Sequence, residues 1–131
     1  MATGRCQCGA IHYEVRGEPV YSALCHCSDC RRSAGAPMVG WVLFPEDDVK
    51  VIGEPKAYRS SQDATRHFCA TCGTGLFYRN AISFPGMVDI QTATLDDQSA
   101  FPPAIHIQWA EAAPWMGRMH ELPRSDRYPD Q

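Results

Sequence analysis

The sequence predicts a single, mainly β domain, and three observations carry that prediction. Short runs rich in β-branched and aromatic residues recur along the chain, and turn residues separate them. Ten glycines and ten prolines are spread so widely that long helices have little room. A length of 131 residues falls within the usual size of one domain and suffices to bury a core without disulfide support. Residues 1–131 are therefore expected to form one domain.

Taken in order, residues 11–15 alternate as a strand does, and residues 38–44 are nearly all apolar. Residues 49–52, 76–78, 87–93 and 105–109 are short runs of the same β-branched and aromatic kind. Between them, Gly17-Glu18-Pro19, Pro45-Glu46-Asp47-Asp48, Gly53-Glu54-Pro55, Phe84-Pro85-Gly86 and Phe101-Pro102-Pro103 supply residues that stop strands. One short helix is expected at residues 28–33, capped by Ser28 and ended by Gly35. The tail, residues 122–131, mixes Pro, Arg and Asp and reads as a surface extension with weak regular structure. No repeat with a period of roughly 20–50 residues interrupts this plan.

Composition excludes several function classes. A hydrophobic fraction of 44% with 21% charged residues is neither a disordered tail nor a membrane protein. A net charge of -3, with no basic run longer than Arg31-Arg32, offers no footprint for nucleic acid. Residues 1–8 carry a lone Arg5 with no apolar run behind it, so neither a secretory signal nor an anchor is expected, and the protein is read as cytoplasmic. In a reducing compartment, clustered cysteines point to metal binding or catalysis rather than disulfides. Seven cysteines also divide more cleanly into four plus three than into pairs.

Cys6 and Cys8 form a CxC pair followed by Gly9, and Cys69 and Cys72 form a CxxC pair followed by Gly73. In a zinc knuckle the chain reverses so that two thiolates face one ion, and a glycine after them permits a positive φ. Two such knuckles would close a structural Cys₄ zinc site joining the first strand to the middle of the chain. The spacings typical of iron–sulfur ferredoxins are absent.

Cys25, Cys27 and Cys30 form the second group, in Leu24-Cys25-His26-Cys27-Ser28-Asp29-Cys30-Arg31-Arg32. Three thiolates from one loop can hold an ion and leave its fourth position to water or substrate. His26 lies between two of them and in an extended segment points away; a distant His12, His67, His106 or His120 would close the site if the fold brought it there. A zinc carrying three thiolates is a weak Lewis acid toward water and is better matched to deprotonating a further thiol. Arg31 and Arg32 offer positive charge for a carboxylate on such a substrate, although a solvated helix surface explains either alone.

These motifs together resemble the glutathione-dependent formaldehyde-activating enzyme family, whose zinc-binding fold is Mss4-like. The resemblance runs through Gly4-Arg5-Cys6-Gln7-Cys8-Gly9-Ala10, the CHCxxCR element at Cys25 to Arg31, Gly35-Ala36-Pro37 and Phe68-Cys69-Ala70-Thr71-Cys72-Gly73-Thr74. It continues in Thr94-Leu95-Asp96-Asp97, Pro103-Ala104-Ile105-His106-Ile107, Trp115 and Leu122-Pro123. It implies several small coiled antiparallel sheets with one short helix, stapled by zinc. It further implies a structural zinc on Cys6, Cys8, Cys69 and Cys72, a catalytic zinc on Cys25, Cys27 and Cys30, and hence two Zn²⁺ per chain. The implied reaction is that of a carbon–sulfur lyase run toward synthesis: addition of glutathione to formaldehyde, giving S-hydroxymethylglutathione.

The partners expected are therefore a small thiol and a small aldehyde, with no nucleic acid or membrane, acting on a monomer or homodimer. The competing class is a non-catalytic zinc module that presents its surface to a protein partner. Trp41, Trp109, Trp115, Phe44, Phe77 and Tyr78 are read as core or rim packing. His106 is expected on the face of its strand opposite Ile105 and Ile107, as a surface or hydrogen-bonded histidine, and Asp29 as support for the helix start.

Overall fold

The computed structural model describes residues 1–129. Ten strands and one short α-helix follow the order β1 (Ala2–Arg5), β2 (His12–Val15), β3 (Tyr21–Cys25), α1 (Ser28–Ala34), β4 (Val39–Pro45), β5 (Val49–Ile52), β6 (Lys56–Arg59), β7 (Ala64–Phe68), β8 (Gly75–Asn80), β9 (Met87–Gln91) and β10 (Ile105–Ile107). They form a three-stranded sheet, β1-β2-β5, and a seven-stranded sheet, β10-β3-β4-β9-β8-β7-β6. Every pairing is antiparallel except that of β10 with β3. The mainly β fold expected from the sequence is thus realised as two sheets. No helix among the described residues is long and apolar enough to cross a membrane.

The large sheet uses its two faces differently, because side chains alternate along each strand. One face carries Val42 and Phe44 of β4, Phe77 of β8 and Val88 and Ile90 of β9, which bury against Tyr13 and Val15 of the small sheet. Tyr13 fixes this docking: its ring meets Phe77 edge-on at 5.5 Å, and its hydroxyl lies 2.7 Å from Thr94 Oγ1. The other face carries a lateral row of paired positions, Tyr21–Leu43–Asp89–Tyr78–Arg66, crossing β3, β4, β9, β8 and β7. Directly paired residues share a face. Cys25, Val39 and Trp41 belong to that same face, where they pack with Cys30 from α1.

Several elements depart from the sequence reading. Strands β1, β3, β6 and β7 were not anticipated, since Ala, Ser, Lys and Arg dilute their β-forming residues. The run expected at residues 87–93 ends at Gln91, where Thr92–Thr94 tighten into a 3₁₀ turn. The run at 105–109 ends at Ile107, because Gln108 adopts a left-handed φ of 55° and leads into the 3₁₀ turn Trp109–Glu111. The helix starts at Ser28 and ends at Gly35 as expected, yet its cap is Cys27, whose Sγ accepts the Cys30 N–H, and not Ser28. Asp29 sits in its first turn. The chain beyond Met116–Glu121, itself a 3₁₀ helix, is exposed and without strand or helix through residue 129. The last two residues of the expected tail extension, 130 and 131, lie outside the described residues.

Candidate metal centres

The two cysteine pairs distant in sequence meet in space. The CxC pair follows β1, the CxxC pair is the turn between β7 and β8, and the Sγ atoms of Cys6, Cys8, Cys69 and Cys72 all lie within 4.8 Å of one another. Gly9 and Gly73 hold φ values of 82° and 81°, the left-handed conformation expected of a knuckle. The Cys6–Cys8 and Cys8–Cys69 sulfur distances are both 3.7 Å. Four sulfurs at about 2.3 Å from a tetrahedral Zn²⁺ would be about 3.8 Å apart, so these spacings fit that ion and are far too long for a disulfide. Ile11 N–H points at Cys6 Sγ at 3.3 Å and Ala10 N–H at Cys8 Sγ at 3.5 Å, which favours thiolate. The Thr74 hydroxyl contact, at 3.2 Å, is the main cause holding Cys72 down to about 5.

The second group is compact as well. Cys25 ends β3, Cys27 caps α1 and Cys30 lies in its first turn, and their sulfurs lie within 4.8 Å of one another. Among the described residues no histidine nitrogen or carboxylate oxygen joins this set. His26 is fully buried, with Nε2 2.8 Å from His106 Nδ1 and its ring against Trp109, so it faces away from the thiols. His106 is accordingly a hydrogen-bonded residue. His67 takes a hydrogen bond from Arg79, while His12 and His120 are exposed. Without metal, the shared negative charge settles on Cys30, held down to about 5 first by the Cys25 thiol and further by Arg66. The Cys30 thiolate and burial push Cys25 up, and burial pushes Cys27 up.

A cavity of about 190 Å³ opens over these three thiols, walled by Tyr21, Trp41, Arg66, Tyr78 and Asp89 among others. Trp41 and Arg66 also line an adjoining cavity of about 370 Å³ with Ser33, Tyr58, His67 and Gln91. Three donors beneath such a space can hold an ion and still leave room for a small reactant.

Sequence reasoning missed Arg66, Asp89 and Tyr21, and it placed Trp41 and Tyr78 in packing when they also wall the cavity. Arg66 is 8% exposed, stacks over the Tyr78 ring at 5.0 Å and points Nη2 at Cys30 Sγ at 3.7 Å. Its Nε and Asp89 Oδ1 are buried without hydrogen-bond partners among the described residues. The available signal was Asp89 between Val88 and Ile90, a carboxylate inside a strand whose neighbours are both core. Arg31 instead donates to the His26 carbonyl at 3.2 Å, and Arg32 borders a neighbouring depression that shares Asp29 and Arg66 with the cavity over the thiols. Of the remaining tryptophans, Trp109 and Trp115 are about half exposed, at 48% and 51%.

Comparison with known proteins bears on the family and the fold. The family model described as glutathione-dependent formaldehyde-activating enzyme matches residues 1–111. A Schizosaccharomyces pombe protein named as an uncharacterized lyase is 33% identical over 75 residues, covering 57% of this chain and 55% of that protein. The match therefore spans about half of that relative's length. A Halomonas elongata protein named "Putative glutathione-dependent formaldehyde-activating enzyme" is 27% identical over 126 aligned residues, covering 88% of this chain and 80% of that one. The crystal structure of a Rhodobacter sphaeroides protein, a structural-genomics target, superposes with a TM-score of 0.58 at 26% identity, covering 79% of this chain and 98% of that chain.

Proposed function

The chain belongs to the glutathione-dependent formaldehyde-activating enzyme family, and from that premise we propose that it adds a small thiol such as glutathione to formaldehyde or a related small aldehyde. In this reading Cys6, Cys8, Cys69 and Cys72 hold a structural zinc, and Cys25, Cys27 and Cys30 hold a catalytic one. The observation that carries the proposal is the convergence of three, not four, sulfur donors beneath a walled cavity. A zinc ion bound by the three-cysteine set would supply the Lewis acidity that brings a thiol's pKa toward neutrality.

The chain's own residues do the rest. The Arg66 guanidinium beside Cys30 offsets the negative charge of three thiolates and so makes room for an anionic substrate sulfur. Trp41 and Tyr78 wall the cavity and limit water, which strengthens the charge interactions inside it. The larger adjoining cavity, with Ser33, Gln91 and Arg66, offers polar groups for the rest of a peptide-sized thiol. Holding the sulfur and the aldehyde carbon in one small space supplies the proximity the addition needs.

The test is exchange spectroscopy by NMR on purified protein with formaldehyde and glutathione, N-acetylcysteine or 2-mercaptoethanol. Enhanced exchange between free thiol and hemithioacetal, lost in Cys27→Ala, is the expected result. Two bound zincs without any enhancement over background would instead favour the non-catalytic zinc module.

A further inference from the structure

Asp89 is the one carboxylate buried among the described residues, at 3% exposure. Its Oδ2 accepts a hydrogen bond from the Tyr21 hydroxyl at 3.3 Å, while its Oδ1 has no partner among the described residues. The strand itself does not call for a carboxylate here, since Val88 and Ile90 on either side make its core contacts. An unsatisfied buried carboxyl oxygen costs about 1–3 kcal/mol, so such a group at a cavity calls for a ligand. The cavity it lines is the one over Cys25, Cys27 and Cys30.

We propose that Asp89 is a catalytic residue of the addition: its carboxyl group, at the wall of the cavity over the three thiols, hydrogen-bonds the aldehyde oxygen and delivers a proton to it as the carbon–sulfur bond forms. This rests on the thiol–aldehyde reading above. The sulfur lone pair makes the new bond to carbon, the π pair of the carbonyl moves onto oxygen, and the Asp89 proton converts that oxygen to hydroxyl. The proton that the thiol gave up to solvent balances the one Asp89 then regains from solvent. In the reverse direction the carboxylate takes the hydroxyl proton as the carbon–sulfur bond breaks.

The surroundings suit a group that works in both forms. Burial pushes the Asp89 pKa up to about 7, with Tyr21 opposing through its hydrogen bond and the charge on Cys30 adding to the rise. Tyr21 faces it from β3 and Tyr78 from β8, while Leu43 of β4 is apolar. Arg66 from β7, the three thiols and Asp29 of α1 complete the charged and titratable groups around the cavity.

Asp89→Asn keeps the shape and an acceptor for Tyr21 but cannot deliver the proton. With zinc content and circular dichroism unchanged, exchange should fall by about 100-fold or more. The wild-type loss of synthesis rate as pH rises through the Asp89 pKa, which burial raises above the ordinary carboxylate range, should vanish with it. Tyr21→Phe removes the hydrogen bond that lowers the Asp89 pKa, so in that variant the falling limb should move to higher pH. Infrared difference spectra give a readout independent of turnover: a protonated-carboxyl band absent from Asp89→Asn should shift when formaldehyde and glutathione are added. Wild-type-like exchange in Asp89→Asn, or a band that ignores formaldehyde in an active wild type, overturns the role of Asp89 alone. A wild type that enhances no exchange refutes the reaction and this role with it.

Discussion

Replacing Arg66 by Met should weaken metal binding at the three-cysteine site about tenfold to a hundredfold and leave the four-cysteine site unchanged. The guanidinium is 8% exposed and its Nη2 lies 3.7 Å from Cys30 Sγ. Two unit charges about 4 Å apart attract by about 4 kcal/mol at an effective dielectric of about 20. That gain is offset by the desolvation of a guanidinium whose Nε finds no partner among the described residues. Charge-assisted hydrogen bonds net about 1.5–3 kcal/mol, which at about 1.4 kcal/mol per decade gives the stated factor. Met keeps an apolar stem against the Tyr78 ring, so the loss reports charge rather than packing. The assay is zinc competition against a chromophoric chelator, in which the two sites release in separate phases. Equal affinity of the three-cysteine site in wild type and variant, or an equal loss at both sites, would refute the reasoning.

Metal analysis of the gently purified, reduced protein should find two zinc ions per chain, and chelation should expose all seven thiols to titration. Cys27→Ala should retain one zinc and a native-like circular dichroism spectrum, because the core against the small sheet does not include the three-cysteine loop; unfolding would contradict that division. Asp89 should give stability a pH slope of unusual sign. Its folded pKa of about 7 exceeds the ordinary 3.8, so its favourable contribution is complete below about 3.8 and is lost as pH rises through about 7. The span, at about 1.4 kcal/mol per pH unit, makes that loss on the order of 4 kcal/mol. It is read as the difference between wild-type and Asp89→Asn denaturation curves at fixed metal, and an identical pH dependence of the two would refute it.

What the sequence revealed of the site follows from chemistry confined to short segments. Each knuckle needs its two thiols and a glycine within a few residues, so Gly9 and Gly73 could be assigned a positive φ before any tertiary structure was considered. The strands at β2, β4, β5 and β8 were legible because one or both faces are continuously apolar. Strand β7, Ala-Thr-Arg-His-Phe, was not, because its cavity-facing position is an arginine and the pattern resembles a loop. Asp89 and Arg66 stand 23 positions apart in sequence. Only the register of β7, β8 and β9, with Tyr78 paired to both, sets them in one row. Whether that face meets water or a covering helix is decided by where α1 packs, which local pattern does not specify.

That row also ties the two cysteine clusters together. Cys69 follows directly on β7 and Cys72 lies just before β8, so the CxxC knuckle is the turn of the very hairpin that carries Arg66 opposite Tyr78. Cys69 N–H to Thr74 O at 2.9 Å and Gly73 N–H to Cys69 O at 2.8 Å close that turn. Metal on the four-cysteine cluster would therefore order the end of β7 three residues from the guanidinium that lies beside Cys30. Filling that site should raise the affinity of the three-cysteine site, and linkage requires the same factor when the order of filling is reversed. The coupling acts through Arg66, so it cannot exceed the loss caused by Arg66→Met and should vanish in that variant. Cys72→Ser, at the partly exposed rim of the first site, supplies the perturbation without removing a buried ligand. It should weaken zinc at the three-cysteine site in the wild-type background and leave it unaltered in the Arg66→Met background, a double-mutant cycle in chelator competition. An equal effect of Cys72→Ser in both backgrounds would mean that the centres communicate by another route, or that the hairpin is rigid without metal.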